Sequence, residues 1–331
     1  MNGPADIAVA RQVRMLRTAL GPAIAAALAD PDVVEVLVNP DGTLWTDRLS
    51  RGRAHTGLFI SPEDAERIIR VVAHHVGAEV DRRRPILSAE LPQSGEGLGG
   101  ERFEGVLPPV TAAPSFAIRK RASLVFSLDA YVADGVMSAE QAAALRLAVR
   151  ERLNIVIAGA TSTGKTTLAN ALLDEVARTG DRVIILEDTR ELQSLSDDQV
   201  PLRTQPGVAS MAELVRSTLR LRPDRIVIGE VRGPEALDLL KAWGTGHPGG
   251  IATLHAGSAA GALTRLEQLV QEAVVGVPRA LIAEAVDVIV LIAGRGGARR
   301  VRELVRVTGL TADGYRLEPL IPAHHSPGDT P

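Results

Sequence analysis

Residues 155–167 read IVIAGATSTGKTT, and the fold turns on them. An apolar run, Leu153 to Ala158, stops at Gly159. Gly164-Lys165-Thr166 then opens a segment that puts Leu168, Leu172 and Val176 on one helical face. The spacing Gly159-x-x-x-x-Gly164-Lys165-Thr166 is that of a strand, a glycine-rich turn and a helix that together cradle phosphate. Glycine is required because bulky side chains would keep the backbone amides from wrapping a polyphosphate, and the helix start adds its partial positive charge. Gly159, Ala160, Thr161, Ser162, Thr163, Gly164, Lys165, Thr166 and Thr167 are therefore the candidate nucleotide-binding residues. Lys165 supplies a point charge to the phosphates and Thr166 a hydroxyl to Mg²⁺.

Around this stretch the apolar runs Val183–Leu186, Ile226–Ile228, Ile251–Leu254 and Val288–Ile292 alternate with helical patterns. Val/Ile runs without polar alternation predict strands buried on both faces, hence a largely parallel sheet covered by helices, with ligands at the strands' carboxyl ends. Two of the runs end in acids, Glu187 and Glu230. If both strands lie beside the phosphate-loop strand, their carboxylates converge where a hydrated Mg²⁺ and an attacking water would sit. Glu230 is then the candidate for the Mg²⁺ shell or for polarising water, with Glu187 as the other candidate base. Gly244 to Gly250 (GTGHPGG) leads into a strand that ends at His255, which is placed to contact a terminal phosphate.

The preceding part of the chain reads differently. A helix over residues 6–29 is followed by strands at Val33–Val38 and Thr43–Thr46 around the turn Asn39-Pro40-Asp41-Gly42, then a helix capped by Ser61. That helix ends near His74 and His75, expected at the surface or as compensation of the helix dipole. Short strands follow at Ile86–Leu91, Arg102–Leu107 and Ser115–Arg119, with a flexible Gly95–Gly100 between the first two. This is a smaller α+β domain with a mainly antiparallel sheet. Arg102, Arg119 and Arg121, with Lys120 beside them, stand among its apolar strand residues, as on a solvated sheet face or as anion ligands. The expected organisation is an α+β domain over 1–126, a linker over 127–137, the α/β phosphate-loop domain over 138–322, and a disordered tail over 323–331.

With 331 residues and 45% hydrophobic content, the chain can fill a core in each domain. Aromatics make up only 2% and the formal charge is −3, which argues against base-stacking platforms and a broad nucleic-acid surface. There is no cysteine, which excludes disulfides and thiol-held metal and suits a reducing cytoplasm. Residues 2–30 lack the pattern of a signal peptide, and Leu20–Leu28 is too short to span a bilayer. That helix is expected to pack on its own domain, with a lipid-surface position as the alternative.

Four motifs in order resemble the secretion ATPase superfamily of type II and type IV secretion and of conjugation. They are GATSTGKTT at 159–167, LEDTREL at 186–192, LRPDRIVIGEVRG at 221–233 and GTGHPGGIATLHA at 244–256. DPDVVEVLVNPDGTLWTDRL at 30–49 and FSLDAYVADGVMS at 126–138 extend the likeness toward the conjugal transfer ATPases. The resemblance implies a RecA-like ATPase domain, ATP and Mg²⁺ as ligands, and a ring, with six subunits expected. It implies a place on the cytoplasmic face of the inner membrane, channel subunits as partners and peripheral membrane contact, while the composition leads us to expect no direct nucleic-acid binding. It also implies that Arg102 and Arg119 close onto nucleotide phosphates, while Arg203, Arg216 and Arg232 are weaker candidates. A RecA-like nucleic-acid motor and a nucleotide-gated scaffold with little turnover are the competing readings.

Overall fold

The computed structural model describes residues 4–94, 98–120, 127–205 and 207–321, and the chain divides into two units, Met1–Ser123 and Leu124–Pro331. Arg121, the start of the FSLDAYVADGVMS motif and the tail 323–331 lie outside the described residues.

In the first unit, α1 (Pro4–Ala29) bends at Gly21, whose φ of 73° precedes Pro22. Strands β1 (Val33–Val38), β2 (Thr43–Arg48) and β3 (Gly52–Phe59) form a meander, and α2 (Pro62–His75) follows. Next come β4 (Ile86–Glu90), the short pair β5 (Gln93–Ser94) and β6 (Leu98–Gly99), then β7 (Arg102–Val106) and β8 (Ser115–Arg119). The main sheet has the order β3-β2-β1-β8-β7-β4 with antiparallel neighbours. Alternation sends Val36, Val38, Leu44, Phe103, Phe116 and Ile118 to the core, where α2 contributes Ile68, Ile69 and Val72. Ser61 caps α2, its hydroxyl accepting from Asp64 N at 3.1 Å.

Val13, Leu16, Leu20, Ile24 and Leu28 of α1 are buried in the same core. At about 2 kcal/mol for each large apolar side chain, that stripe is worth on the order of 10 kcal/mol. The stretch is therefore seated on its own unit rather than offering its apolar face to a bilayer. Among the described residues no helix is long and apolar enough to cross a membrane. Two details differ from expectation: β3 adds an edge strand, and Leu98–Gly99 pairs with Gln93–Ser94 where the sequence suggested a flexible run.

The second unit begins with α3 (Leu128–Ala133) and α4 (Ala139–Arg150), before β9 (Ile155–Ala158) and α5 (Lys165–Ala177). It continues through β10 (Val183–Glu187), β11 (Gln199–Arg203), α6 (Met211–Thr218), β12 (Arg225–Ile228) and α7 (Glu235–Gly244). Then come β13 (Ile251–Leu254), α8 (Ala259–Gln271), α9 (Arg279–Ala285), β14 (Val288–Ala293), β15 (Arg300–Thr311) and β16 (Gly314–Pro319). The sheet order is β11-β10-β12-β13-β9-β14-β15-β16, parallel from β11 to β14 and antiparallel across β15 and β16. Successive residues enter opposite cores: Val156, Ile184 and Leu186 pack on one side, and Ile155, Ile157, Val183 and Ile185 on the other. This two-sided burial is why the sequence shows unbroken apolar runs.

Residues 127–137, expected as a linker, instead contain α3. Ser127 caps it by accepting from Ala130 N at 3.2 Å, and Leu128 and Tyr131 enter the core of the second unit. Two apolar residues three apart are enough to anchor one and a half turns, but too few to show a helical period in the sequence.

Candidate nucleotide-binding site

Because β10, β12, β13 and β9 are neighbours running the same way, their carboxyl ends share one rim of the sheet. Glu187 ends β10, Glu230 follows Gly229 after β12, His255 follows β13, and the phosphate loop follows β9. At Gly159 a Cβ would run into the Ile292 carbonyl and lie 2.6 Å from Thr163 Oγ1, so only glycine fits. Gly164, at φ 95°, takes the left-handed conformation that turns the chain into α5. Thr163 fastens the loop by donating its hydroxyl to Ala160 O at 2.9 Å. The first amides of α5 have no side-chain cap, leaving the donors of an anion cradle.

Lys165 is 8% exposed, and its Nζ donates to the carbonyls of Gly159 and Ala160, both at 3.0 Å. The same Nζ lies 3.3 Å from His255 Nδ1, and His255 Nε2 lies 2.8 Å from Glu230 Oε1. That carboxylate oxygen is buried without a partner of hydrogen-bond geometry, so the imidazole contact is one of proximity. Arg232 holds the other oxygen, Nη2 donating to Oε2 at 2.5 Å, and reaches toward Asp188 at 3.8 Å. Burial works to raise the Glu230 pKa, but the Arg232 hydrogen bond and the charges of Arg232, His255 and Lys165 outweigh it and hold the carboxyl below its usual range. Burial and the Lys165 charge push His255 down, against the pull of Glu230. At neutral pH the imidazole is therefore neutral, one ring nitrogen beside Lys165 and the other beside the Glu230 carboxylate.

Glu187, 4% exposed, has a different occupation. Its Oε1 accepts from the amides of Glu191 at 2.8 Å and Leu192 at 2.7 Å. A Cβ on Gly229 would lie 3.1 Å from Glu187 Cγ, so the bare glycine makes room for it. The turn that Glu187 shapes presents Glu191, whose Oε2 accepts from Thr166 Oγ1 at 3.2 Å. Asn170 of α5 pins the turn, donating to Glu191 O at 3.3 Å and accepting from Gln193 N at 2.8 Å. Glu191 and Asn170 were not singled out from the sequence. The available signal was a second acid four residues beyond the strand-ending one in LEDTREL.

Arg102 and Arg119 lie in the first unit, directly opposite each other on β7 and β8. They belong to a charged row crossing six strands, Glu90–Arg102–Arg119–Glu35–Asp47–Arg53. Burial raises the Glu35 carboxyl despite the opposing charge of Arg119. Lys120 donates to Asp30 O at 2.7 Å instead of joining the row. Of the weaker candidates, Arg232 is drawn into the cluster around Glu230, Arg216 pairs with Asp238 of α7 at 2.8 Å, and Arg203 sits on edge strand β11 opposite Glu187.

Comparison with known proteins gives concordant results. The Type II/IV secretion system protein family matches residues 63–299. A probable conjugal transfer protein TrbB from Sinorhizobium fredii is 51% identical over 93% of this chain and 93% of its own length. The type IV secretion system protein PtlH of Bordetella pertussis is 34% identical over 86% of this chain and 93% of its own. The pilus retraction motor PilT with bound ADP shares the fold, with TM-score 0.59 at 19% identity over 88% of this chain and 80% of that one.

Proposed function

We propose that this chain, which belongs to the Type II/IV secretion system protein family, hydrolyses ATP to energise conjugative type IV secretion or pilus assembly. The observation that carries the reading is the series Lys165–His255–Glu230 set beside the uncapped start of α5. In this reading the amides of residues 160–167 and the Lys165 ammonium bind the phosphates and stabilise the charge that develops in transfer. Glu230, ionised and with one oxygen unpartnered, accepts the proton of the attacking water, and His255 relays the state of Lys165 to it. Glu187 keeps its oxygen on backbone amides, so it positions the turn that carries Glu191 rather than acting as base.

The residues fit Mg²⁺. Thr166 Oγ1 would hold it, with Glu191 beside that hydroxyl and Glu230 meeting its shell through water. Bound there, Mg²⁺ would neutralise phosphate charge. The same proposal takes the second unit as RecA-like, Arg102 and Arg119 as suppliers of charge to the nucleotide phosphates, and the working form as a hexameric ring. It places that ring at the inner membrane with the channel subunits, its hydrolysis driving movement of the first unit.

The test is steady-state phosphate release from ATP by the full chain and by Lys165→Ala. The reading expects turnover that the substitution abolishes, a loss on the order of 10²- to 10³-fold or more. Turnover retained in Lys165→Ala removes the site assignment. Negligible turnover in the assembled wild type favours a nucleotide-gated scaffold, and hydrolysis that depends on added DNA with a steep salt dependence favours a nucleic-acid motor.

A further inference from the structure

The connection from β14 to β15 leaves the sheet at the same rim. β14 pairs in parallel with β9, Leu291 opposite Ala158, so the loop Gly294-Arg295-Gly296-Gly297-Ala298-Arg299 emerges beside the phosphate loop. It is tightly closed: Ala298 N donates to Arg295 O and Arg299 N to Gly296 O, each at 3.1 Å. Gly294 has φ 83°, and a Cβ there would strike the Ala298 carbonyl. Two of its arginines turn onto the phosphate loop. Arg295 Nη2 donates to Thr161 O at 3.3 Å. Arg299 lies against Gly164, where an added Cβ would sit 3.0 Å from Nε and 3.1 Å from Cζ.

The Arg299 Nε is buried with no hydrogen-bond partner, and among the described residues no carboxylate pairs with this guanidinium. An unneutralised cation with a buried, unused donor is costly unless an anion completes it. The flank on which it sits narrows the choice of anion. In the sheet order β12-β13-β9-β14, Glu230 and His255 come from the β12 and β13 side of the loop, and Arg299 comes from the β14 side. A polyphosphate with its terminal group toward Lys165, His255 and Glu230 extends its other end toward β14.

We propose that Arg299 binds the α-phosphate of the nucleotide, with Arg295 tying the β14–β15 loop to the phosphate loop through Thr161. A planar guanidinium suits that role, since it offers paired donors to phosphate oxygens while it lies against Gly164. The assignment rests on the nucleotide reading above and deepens it.

The test is calorimetric titration of the full chain with ADP and with a non-hydrolysable ATP analogue, alongside melting of the ligand-free protein. Arg299→Ala should weaken both ligands by the same factor, about tenfold or more for a lost charged hydrogen bond, with ligand-free melting unchanged. Arg299→Lys should recover part of the affinity. Arg299→Gln keeps the stem without the charge, so it should show the same equal loss should the alanine variant fold poorly. Unaltered affinity for both ligands overturns the assignment. So does a loss confined to the ATP analogue, which would put Arg299 on the terminal phosphate, or lowered melting with affinity intact, which would make it a packing residue. If Lys165→Ala abolishes binding while Arg299→Ala leaves it intact, only this assignment falls. If the wild type binds neither ligand, the nucleotide reading falls and takes this one with it.

Discussion

The two rims of the second sheet both bury charge, but they treat it differently. At the amino ends of the strands, Arg225 is 1% exposed and donates to Asp181 Oδ2 at 2.6 Å, Val149 O at 2.8 Å and Gly249 O at 3.2 Å. Arg152 also pairs with Asp181. Asn154 donates to Ala285 O and accepts from Gly250 N, each at 2.9 Å, while Asp287 accepts from Asn154 N at 2.8 Å. That rim is a closed network tying together the starts of β9, β12, β13 and β14. At the carboxyl ends, Glu230 Oε1 and Arg299 Nε remain without partners, and the His255 side chain is 46% exposed. One rim spends its polar groups on holding strands together, and the other keeps them available for a ligand.

Substitutions at the two rims should separate chemistry from stability. The largest effect belongs to Glu230→Gln. Its turnover should fall about 10²- to 10⁴-fold in a phosphate-release assay while nucleotide still binds. Near-normal turnover would return the base role to Glu187. Next is Arg225→Met, which leaves Asp181 to Arg152 and Thr179 alone, strips the Val149 and Gly249 carbonyls of their donor, and should cost about 3 kcal/mol in a denaturant titration. The folded fraction should keep its specific activity, and a cost below about 1 kcal/mol would mean that the amino-end rim is not the tie described.

A smaller effect concerns pH. The His255 pKa lies below its ordinary 6.5 because of burial and Lys165, so the neutral form persists as pH falls through 6.5. Turnover should hold from alkaline pH to that point and decline only below it, and His255→Asn should lose this limb. A profile that bends above pH 6.5 would contradict the depressed pKa. The smallest effect is expected for Arg216→Ala, whose pair with Asp238 has the arginine 55% exposed. It should change stability by less than about 1 kcal/mol and leave turnover alone, and a marked loss of turnover would bring Arg216 into the site.

How far the sequence could be read follows the same division. Strands β9, β10, β12, β13 and β14 are visible as apolar runs because both faces are buried, and the phosphate loop is visible because its backbone demands glycine at fixed positions. Strand β11, QVPLR, alternates in exposure at an edge and carries Pro201, so its letters look like a loop. Strands β15 and β16 are half-exposed, and α3 and α9 are too short to establish a period. Glu191 escaped because its place depends on a turn that Glu187 closes through backbone amides. The Arg225–Asp181 pair joins positions 44 apart, and no local pattern reports it.

In the proposed function the carboxyl-end rim of the second sheet holds the nucleotide's phosphates. A crystal structure of the full chain with Mg²⁺ and a non-hydrolysable ATP analogue tests it most directly. A terminal phosphate is expected within hydrogen-bond distance of Lys165 Nζ, beside His255 and Glu230. Phosphates bound elsewhere, with the Lys165 ammonium still on the Gly159 and Ala160 carbonyls, would contradict it.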